Sequence, residues 1–370
     1  MKQEYDALMT NGTWTLCPIP LDHNVIRNKW VFKIKRKADG TVRRFNARLV
    51  VKGFDKQSGQ DYIETFSPVI KPSTIRVVLT LAVHFDWIIK QLDVSNAFLQ
   101  GHLTEIVYME QPPGFIDKTH SDKVCKLCRA IYGLKQAPRA WYTRLSTFLL
   151  ELGSHGSLVD TSLFIYLHGS IQIYMLVYVD DIIITGTHPN VISNIITKLQ
   201  SEFPLKDLGP LSYFLGIQVT RDASGLHICQ TKYITELLHK TNMSGAKPFK
   251  SPCTSGSKLS RLDGEALFDP TPYRQVVGAL QYCTLTRPEI AYSVNQMCQH
   301  MHAPSFTHWI VAKRVLRCLK GIPDHGLYYT KSLLQLNAFC DTDWTGCPDD
   351  RRSTTGFAIF FGRLSNSLEC

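Results

Sequence analysis

Residues 178–186 read Tyr-Val-Asp-Asp-Ile-Ile-Ile-Thr-Gly, two adjacent carboxylates set between runs of β-branched and aromatic residues. Short apolar runs flanking a polar pair describe a hairpin, here Ile171–Gly186, with its bend at Asp180 and Asp181. Strands this apolar belong inside a sheet, so the bend lies at the edge of a buried core. Two unpaired carboxylates held there repel each other and resist desolvation. Either the pair is an ordinary solvated turn, or it is kept for a cation.

A third acid bears on the choice. "WIIKQLDVSNAF" (Trp87–Phe98) reads as a buried strand ending at Asp93, 87 residues before Asp180. If this strand neighbours the hairpin in one antiparallel sheet, three carboxylates meet at one edge. Hard divalent cations such as Mg²⁺ prefer carboxylate oxygen. Two of them held about 3.5–4 Å apart activate a hydroxyl and stabilise a leaving pyrophosphate in an in-line phosphoryl transfer.

The chain's net charge of +10 is concentrated. Between Arg27 and Lys52, ten basic residues meet one acid, Asp39, so this stretch carries 10 − 1 = +9. It spans "WVFKIKRKADGTVRRFNARLVVKGF" (Trp30–Phe54), two alternating runs joined at Ala-Asp-Gly, which signals a hairpin. A second cluster lies on a helix over Ser305–Lys320, where Lys313, Arg317 and Lys320, spaced four then three, share one face. Two local basic surfaces suit a polyanionic partner; a solvated strand face and a solvated helix face are the plainer alternative.

Helical periodicity also marks Thr74–Phe85, Gln136–Gly153, Val191–Phe203, Lys232–Lys240, Tyr273–Thr284 and Pro288–Met301. A further hairpin covers Leu211–Gln230, and strands close the chain in "LQLNAFCDTDW" and "TTGFAIFFG". Residues 247–272 turn to Pro, Ser and Gly and read as a linker. The class is α+β. Eleven cysteines and no secretory start indicate a reduced intracellular setting. Cys125 and Cys128 stand three apart on a strand, facing opposite ways, which is wrong for a zinc site. No apolar run approaches the ~18 residues of a membrane span.

With these motifs in order, the chain resembles the reverse transcriptase segment of Ty1/copia-type retrotransposon polyproteins, from about Thr13 to Gly362. "RFNARLVVKGFDKQSGQDYIETFSPVIKPSTIR" resembles the family's fingers signature and "QLDVSNAFLQGHLTEIVYMEQPPGF" its first palm motif. "YGLKQAPRAWY" resembles the second motif, "YVDDIIITG" the third and "YFLGIQV" the primer grip; "LTRPEIAYSVNQMCQHMHAP" and "DTDWTGCPDDRRSTTGF" continue the pattern.

The resemblance implies a right-hand polymerase with an antiparallel palm sheet. Fingers and palm would occupy 1–202, thumb and connection 203–331, and a truncated ribonuclease H-like fragment 332–370. It implies RNA-directed DNA synthesis, with Asp93, Asp180, Asp181 and the Val94 carbonyl holding two Mg²⁺ or Mn²⁺ ions. Arg48 and Lys52 would hold triphosphate, Phe98 would lie beneath the sugar of the incoming dNTP, and Gln136 would contact the nucleotide. Tyr213, Phe214, Leu215 and Gly216 would place the primer end, and Lys313, Arg317 and Lys320 would touch the duplex. The implied partners are an RNA template and a DNA or RNA primer, in a cytoplasmic particle or the nucleus.

Asp341, with Asp343 beside it, matches the first metal-binding position of ribonuclease H, but only 29 residues follow. That activity is therefore expected to be absent, and exposed apolar surface beyond about Lys331 is expected to lower solubility. An inactive relic and a nucleic-acid-binding protein without turnover are the competing readings.

Overall fold

The computed structural model describes residues 1–370 apart from 37–40, 58, 60, 255, 257, 363 and 370. The expected Ala38-Asp39-Gly40 turn lies outside the described residues. The chain forms two units. The first comprises Met1–Ile70 and Leu92–Gly209, the second Lys71–Gln91 and Pro210–Cys370. The helix Pro72–His84, which falls within the expected fingers-and-palm segment, therefore groups with the C-terminal half of the chain.

The first unit is built on a six-stranded sheet. Its strands run in the order Leu205–Pro210, Ile89–Val94 (of which Leu92–Val94 belong to this unit), Asp181–Gly186, Ile171–Tyr178, Leu163–His168 and His155–Gly156. The apolar runs seen in the sequence supply its inner face. Leu92, Val94, Met175, Val177, Ile182 and Ile184 pack against Trp141, Leu145 and Leu149 of the helix Ala137–Glu151. Ile192, Ile195, Ile196 and Leu199 of the helix Pro189–Glu202 join them at helical spacing. Each helix carries a proline in its first turn, where the missing N–H costs no hydrogen bond. Each such buried side chain is worth roughly 1.5–3 kcal/mol of transfer free energy.

A second core gathers Leu8, Trp14, Leu49, Val51, Met109, Cys125 and Leu127. The associated sheet pairs Val25–Ile26 with Tyr108–Met109 in parallel and is otherwise antiparallel. Cys125 is buried, with burial pushing its thiol up to about 12, and Cys128 is exposed, as period two along the strand requires.

The basic hairpin pairs Asn28–Arg36 with Val42–Val51. Directly paired residues share a face. Trp30, Phe32, Ile34, Phe45, Ala47 and Leu49 therefore form one side, and Val31, Lys33, Arg44, Asn46 and Arg48 the other. The apolar side is buried at its base, where Leu49 and Val51 enter the core, and opens to solvent at Phe32 and Phe45.

In the second unit, helices Thr231–Lys240, Thr271–Cys283, Ala291–Cys298 and Phe306–Gly321 enclose one core. The last of these opens with a capping box between Ser305 and His308. Two of its cations, Arg317 and Lys320, are engaged within the unit. Arg317 Nε donates to the Lys247 carbonyl at 2.5 Å, Lys320 Nζ to the Ala246 carbonyl at 2.6 Å, and the Arg317 guanidinium lies 3.8 Å from the centre of the Phe249 ring. The Pro- and Ser-rich segment thus packs on the helix at its start.

Strands Leu336–Thr342, Thr355–Phe361 and Leu364–Glu369 form a separate three-stranded antiparallel sheet, with Phe339 and Trp344 exposed. Among the described residues, no helix is long and apolar enough to cross a membrane.

Candidate active site

Leu92 and Val94 point into the core, so Asp93 between them faces the other side of the sheet and remains partly exposed. In the adjacent hairpin, Tyr178 pairs with Asp181, which leaves Val179 and Asp180 as a two-residue loop. Val179 has φ 52°, a left-handed conformation that a β-branched residue adopts only under constraint. The constraint is visible: the indole of Trp141, 1% exposed, donates to the Val179 carbonyl at 2.6 Å. Next along the loop, the Asp180 carbonyl accepts the Val94 amide at 2.8 Å. Backbone bonds therefore bring Asp93, Asp180 and Asp181 to one sheet edge. Among the described residues, no three His, Cys, Asp or Glu side chains converge closely enough to hold a metal ion.

The charges around this edge share a neighbour, Tyr132. Burial raises its phenol, Arg48 opposes the rise, and Glu4, Asp180 and Asp93 add to it. The Arg48 guanidinium lies 4.5 Å from the centre of the Tyr132 ring, and the Phe98 ring meets Tyr132 edge-on with centroids 5.5 Å apart. Phe98 reaches this place because Asn96, at φ 54°, turns the chain from the Asp93 strand into the 3-10 turn Ala97–Gln100. Asn tolerates that conformation better than most residues.

Gln136, just before the Trp141 helix, is 1% exposed, so its amide must be satisfied internally. Its oxygen accepts from Lys56 Nζ and its nitrogen donates to the Asp61 carbonyl at 2.9 Å. Burial lowers the Lys56 ammonium to about 8, against the pull of Asp61 and Glu105.

Comparison with known proteins decides the family. Residues 11–255 match the model described as Reverse transcriptase (RNA-dependent DNA polymerase). The chain is 50% identical over 364 residues to the Retrovirus-related Pol polyprotein from transposon RE1 of Arabidopsis thaliana, covering 98% of this chain and 25% of that protein. It is 37% identical to the corresponding polyprotein from transposon TNT 1-94 of Nicotiana tabacum, with 98% and 28% covered. The Transposon Ty1-NL2 Gag-Pol polyprotein of Saccharomyces cerevisiae is 27% identical over 299 residues. This chain belongs to the reverse transcriptase family. It spans about a quarter of the length of the plant polyproteins it matches.

Within this reverse transcriptase domain, the residues expected at the site separate by location. Asp93, Val94, Asp180, Asp181, Arg48, Phe98 and Gln136 all lie in the first unit. Lys52 lies there too, at the start of the turn Gly53–Asp55. Its charge helps lower the Asp55 carboxyl, after the larger effect of Arg27, which forks onto Asp55 at 2.8 and 2.9 Å.

Tyr213, Phe214, Leu215 and Gly216 lie in the second unit, at a tight hairpin in which Phe214 pairs with Ile217. Leu215 and Gly216 have φ 49° and 73°, the two left-handed residues of a type I′ turn. The Tyr282 hydroxyl donates to the Leu215 carbonyl. Phe214 is buried while Tyr213 is exposed, so only Tyr213 presents its ring to a partner. Lys313 is exposed, with its ammonium 5.5 Å from the Trp309 ring centre. Asp341 is exposed on its strand opposite Gly356, and Asp343 accepts the Thr354 amide at 2.5 Å.

Three residues here have no role in the sequence reading: Trp141, Lys56 and Tyr132. Trp141 and Tyr132 lie within the quoted "YGLKQAPRAWY" stretch, but nothing in their spacing tells which backbone or ring they meet.

Proposed function

We propose that this chain is the RNA-directed DNA polymerase domain of a copia-type Pol polyprotein, adding deoxynucleotides to a primer 3′-hydroxyl on an RNA template. The observation that carries the reading is the Val94 amide bond to the Asp180 carbonyl, which joins the first and third palm motifs at one sheet edge. The donor set suits Mg²⁺ or Mn²⁺: three solvent-reaching carboxylates, Asp93, Asp180 and Asp181, with the Val94 carbonyl. Two such ions, when bound, neutralise the phosphate and lower the pKa of the attacking hydroxyl.

The chain's own residues do the rest. Arg48 meets the triphosphate from the basic side of the hairpin. Phe98 lies beneath the sugar, where a 2′-hydroxyl would collide with its ring. Gln136 is held by Lys56 and Asp61, and reaching the nucleotide requires it to give up one of those bonds. In this reading the six-stranded sheet is the palm, the basic hairpin belongs to the fingers, and the helices of the second unit belong to thumb and connection. The three-stranded sheet with Asp341 is the start of a ribonuclease H-like fold. Of the residues expected to meet primer–template, Lys313 and Tyr213 present exposed side chains to it, within a cell where RNA template and dNTPs are at hand.

The unconverged carboxylates favour one alternative, a nucleic-acid-binding protein without turnover. Primer extension on an RNA template, with Mg²⁺ and then Mn²⁺, separates the two. Extension by this chain that is lost in Asp180→Asn supports the polymerase. Salt-sensitive binding of primer–template with no extension supports the alternative.

A further inference from the structure

We propose that Tyr132 is a positioning residue for nucleotide selection, holding the Phe98 ring and the Arg48 guanidinium in register on one aromatic plate. The proposal rests on the reading of Phe98 and Arg48 as the sugar and triphosphate contacts. Phe98 and Arg48 come from segments about fifty residues apart, yet both settle on this ring. Arg48 lies 4.5 Å from its centroid and Phe98 packs edge-on at 5.5 Å. A cation over an aromatic ring and an edge-to-face pair draw on the same quadrupole, so one ring satisfies both.

The ring itself is anchored through its backbone. The Tyr132 carbonyl accepts the Val51 amide at 2.9 Å, from the strand that carries Arg48. Gly133 makes that approach feasible. It has φ +92°, and a Cβ there would stand 2.2 Å from the Val51 carbonyl oxygen. Loop and strand therefore hold each other, and the Tyr132 phenol sits in the field of Asp180 and Asp93. This half-buried tyrosine, outside the carboxylate set, touches both Arg48 and Phe98.

A 2′-hydroxyl is rejected only if the aromatic ring beneath the sugar cannot retreat. Phe98 is itself only partly buried, and Tyr132 is the aromatic ring behind it. Removing the Tyr132 ring gives Phe98 room to yield and leaves Arg48 without its platform. Sugar selection and triphosphate affinity should then loosen together.

The full chain is tested by single-nucleotide extension with a dNTP and the matching rNTP. Phe98→Val is the reference and should raise kcat/KM for the rNTP relative to the dNTP roughly tenfold or more. Tyr132→Leu should shift the same ratio in the same direction and raise KM for the dNTP more than it lowers kcat. Tyr132→Phe, which keeps the ring, should return both values close to wild type. The double variant Phe98→Val with Tyr132→Leu should be no more permissive than Phe98→Val alone.

Loss of kcat for both nucleotides with an unchanged ratio in Tyr132→Leu overturns the proposal, as does a double variant whose ratio is the product of the two singles. Arg48→Met keeps the proposal testable if Tyr132→Leu does not fold, because Arg48 is exposed. It should raise KM and shift the ratio, and a rise in KM alone overturns the coupling. Phe98→Val with an unchanged ratio, or a wild-type chain that extends no primer, overturns the underlying reading and this proposal together.

Discussion

The Val94 amide donates to the Asp180 carbonyl at 2.8 Å, which ties the strand of Asp93 to the loop of the Tyr-Val-Asp-Asp hairpin. The tie is made by main chain alone, so the geometry of the edge does not depend on the carboxylates it presents. Asp93→Asn and Asp180→Asn should therefore each keep unfolding free energy within about 0.5 kcal/mol of wild type, as for ordinary surface changes. Both should lose primer extension. Denaturant unfolding measured beside the extension assay checks this, and a large loss of stability would show that the carboxylates themselves hold the edge.

The loop carries strain that can be relieved. Val179 at φ 52° pays about 1–2 kcal/mol for a left-handed β-branched residue, while glycine pays about 0.5–1 kcal/mol in entropy. Val179→Gly should be neutral to about 1 kcal/mol more stable. Trp141→Phe should act the other way, losing about 1–3 kcal/mol as the Val179 carbonyl gives up its indole donor. Urea unfolding of both variants reads the two signs; a destabilised Val179→Gly would mean the loop conformation is favourable as it stands.

Continuous apolar runs on either side of a polar pair made the Ile171–Gly186 hairpin legible in the sequence, and alternation did so for Trp30–Phe54, because burial on one or both faces of a sheet is written into side-chain type. Helices were legible for the same reason at period 3.6, from Pro72–His84 to Phe306–Gly321. The exact bend was not. Tyr178 pairs with Asp181, so only one of the two acids is a loop residue, and a valine in the left-handed region contradicts its own propensity. That conformation is imposed by Trp141 from a helix some forty residues upstream. The second turn at Leu215–Gly216 was hidden similarly, since leucine gives no turn signal. Tyr132 has only the neighbouring Gly133 as a local clue, because contacts between a loop and a distant strand leave no periodicity.

Lys56 gives a pH dependence. Burial lowers its ammonium to about 8, Asp61 and Glu105 pull it up, and Lys135 pushes it further down. In the unfolded chain the group titrates near its ordinary value of 10.5. Between about 8 and 10.5 the unfolded state thus binds more protons, and the Lys56 contribution to stability rises with pH. Below about 8 the folded state carries the full cost of burying the charge. Wild type should gain stability across this window relative to Lys56→Met, measured as unfolding free energy against pH. Parallel curves for the two proteins would remove Lys56 as the titrating group.

The cations of the helix Phe306–Gly321 divide by what they already touch. Arg317 and Lys320 hold carbonyls of Lys247 and Ala246, and Arg317 lies on Phe249, so their work is to dock the Pro- and Ser-rich segment. Lys313 stays exposed. Each phosphate contact on a duplex contributes about 0.9 to the slope of log affinity against log salt. Lys313→Met should then reduce the slope for primer–template binding by about that amount if the helix meets the duplex. Arg317→Met should leave the slope unchanged and speed protease cleavage near Lys247–Ser251, because the segment loses its clamp while the phosphate contacts remain. A reduced slope in Arg317→Met, with cleavage unchanged, would return Arg317 to the nucleic-acid surface that the helical spacing first suggested.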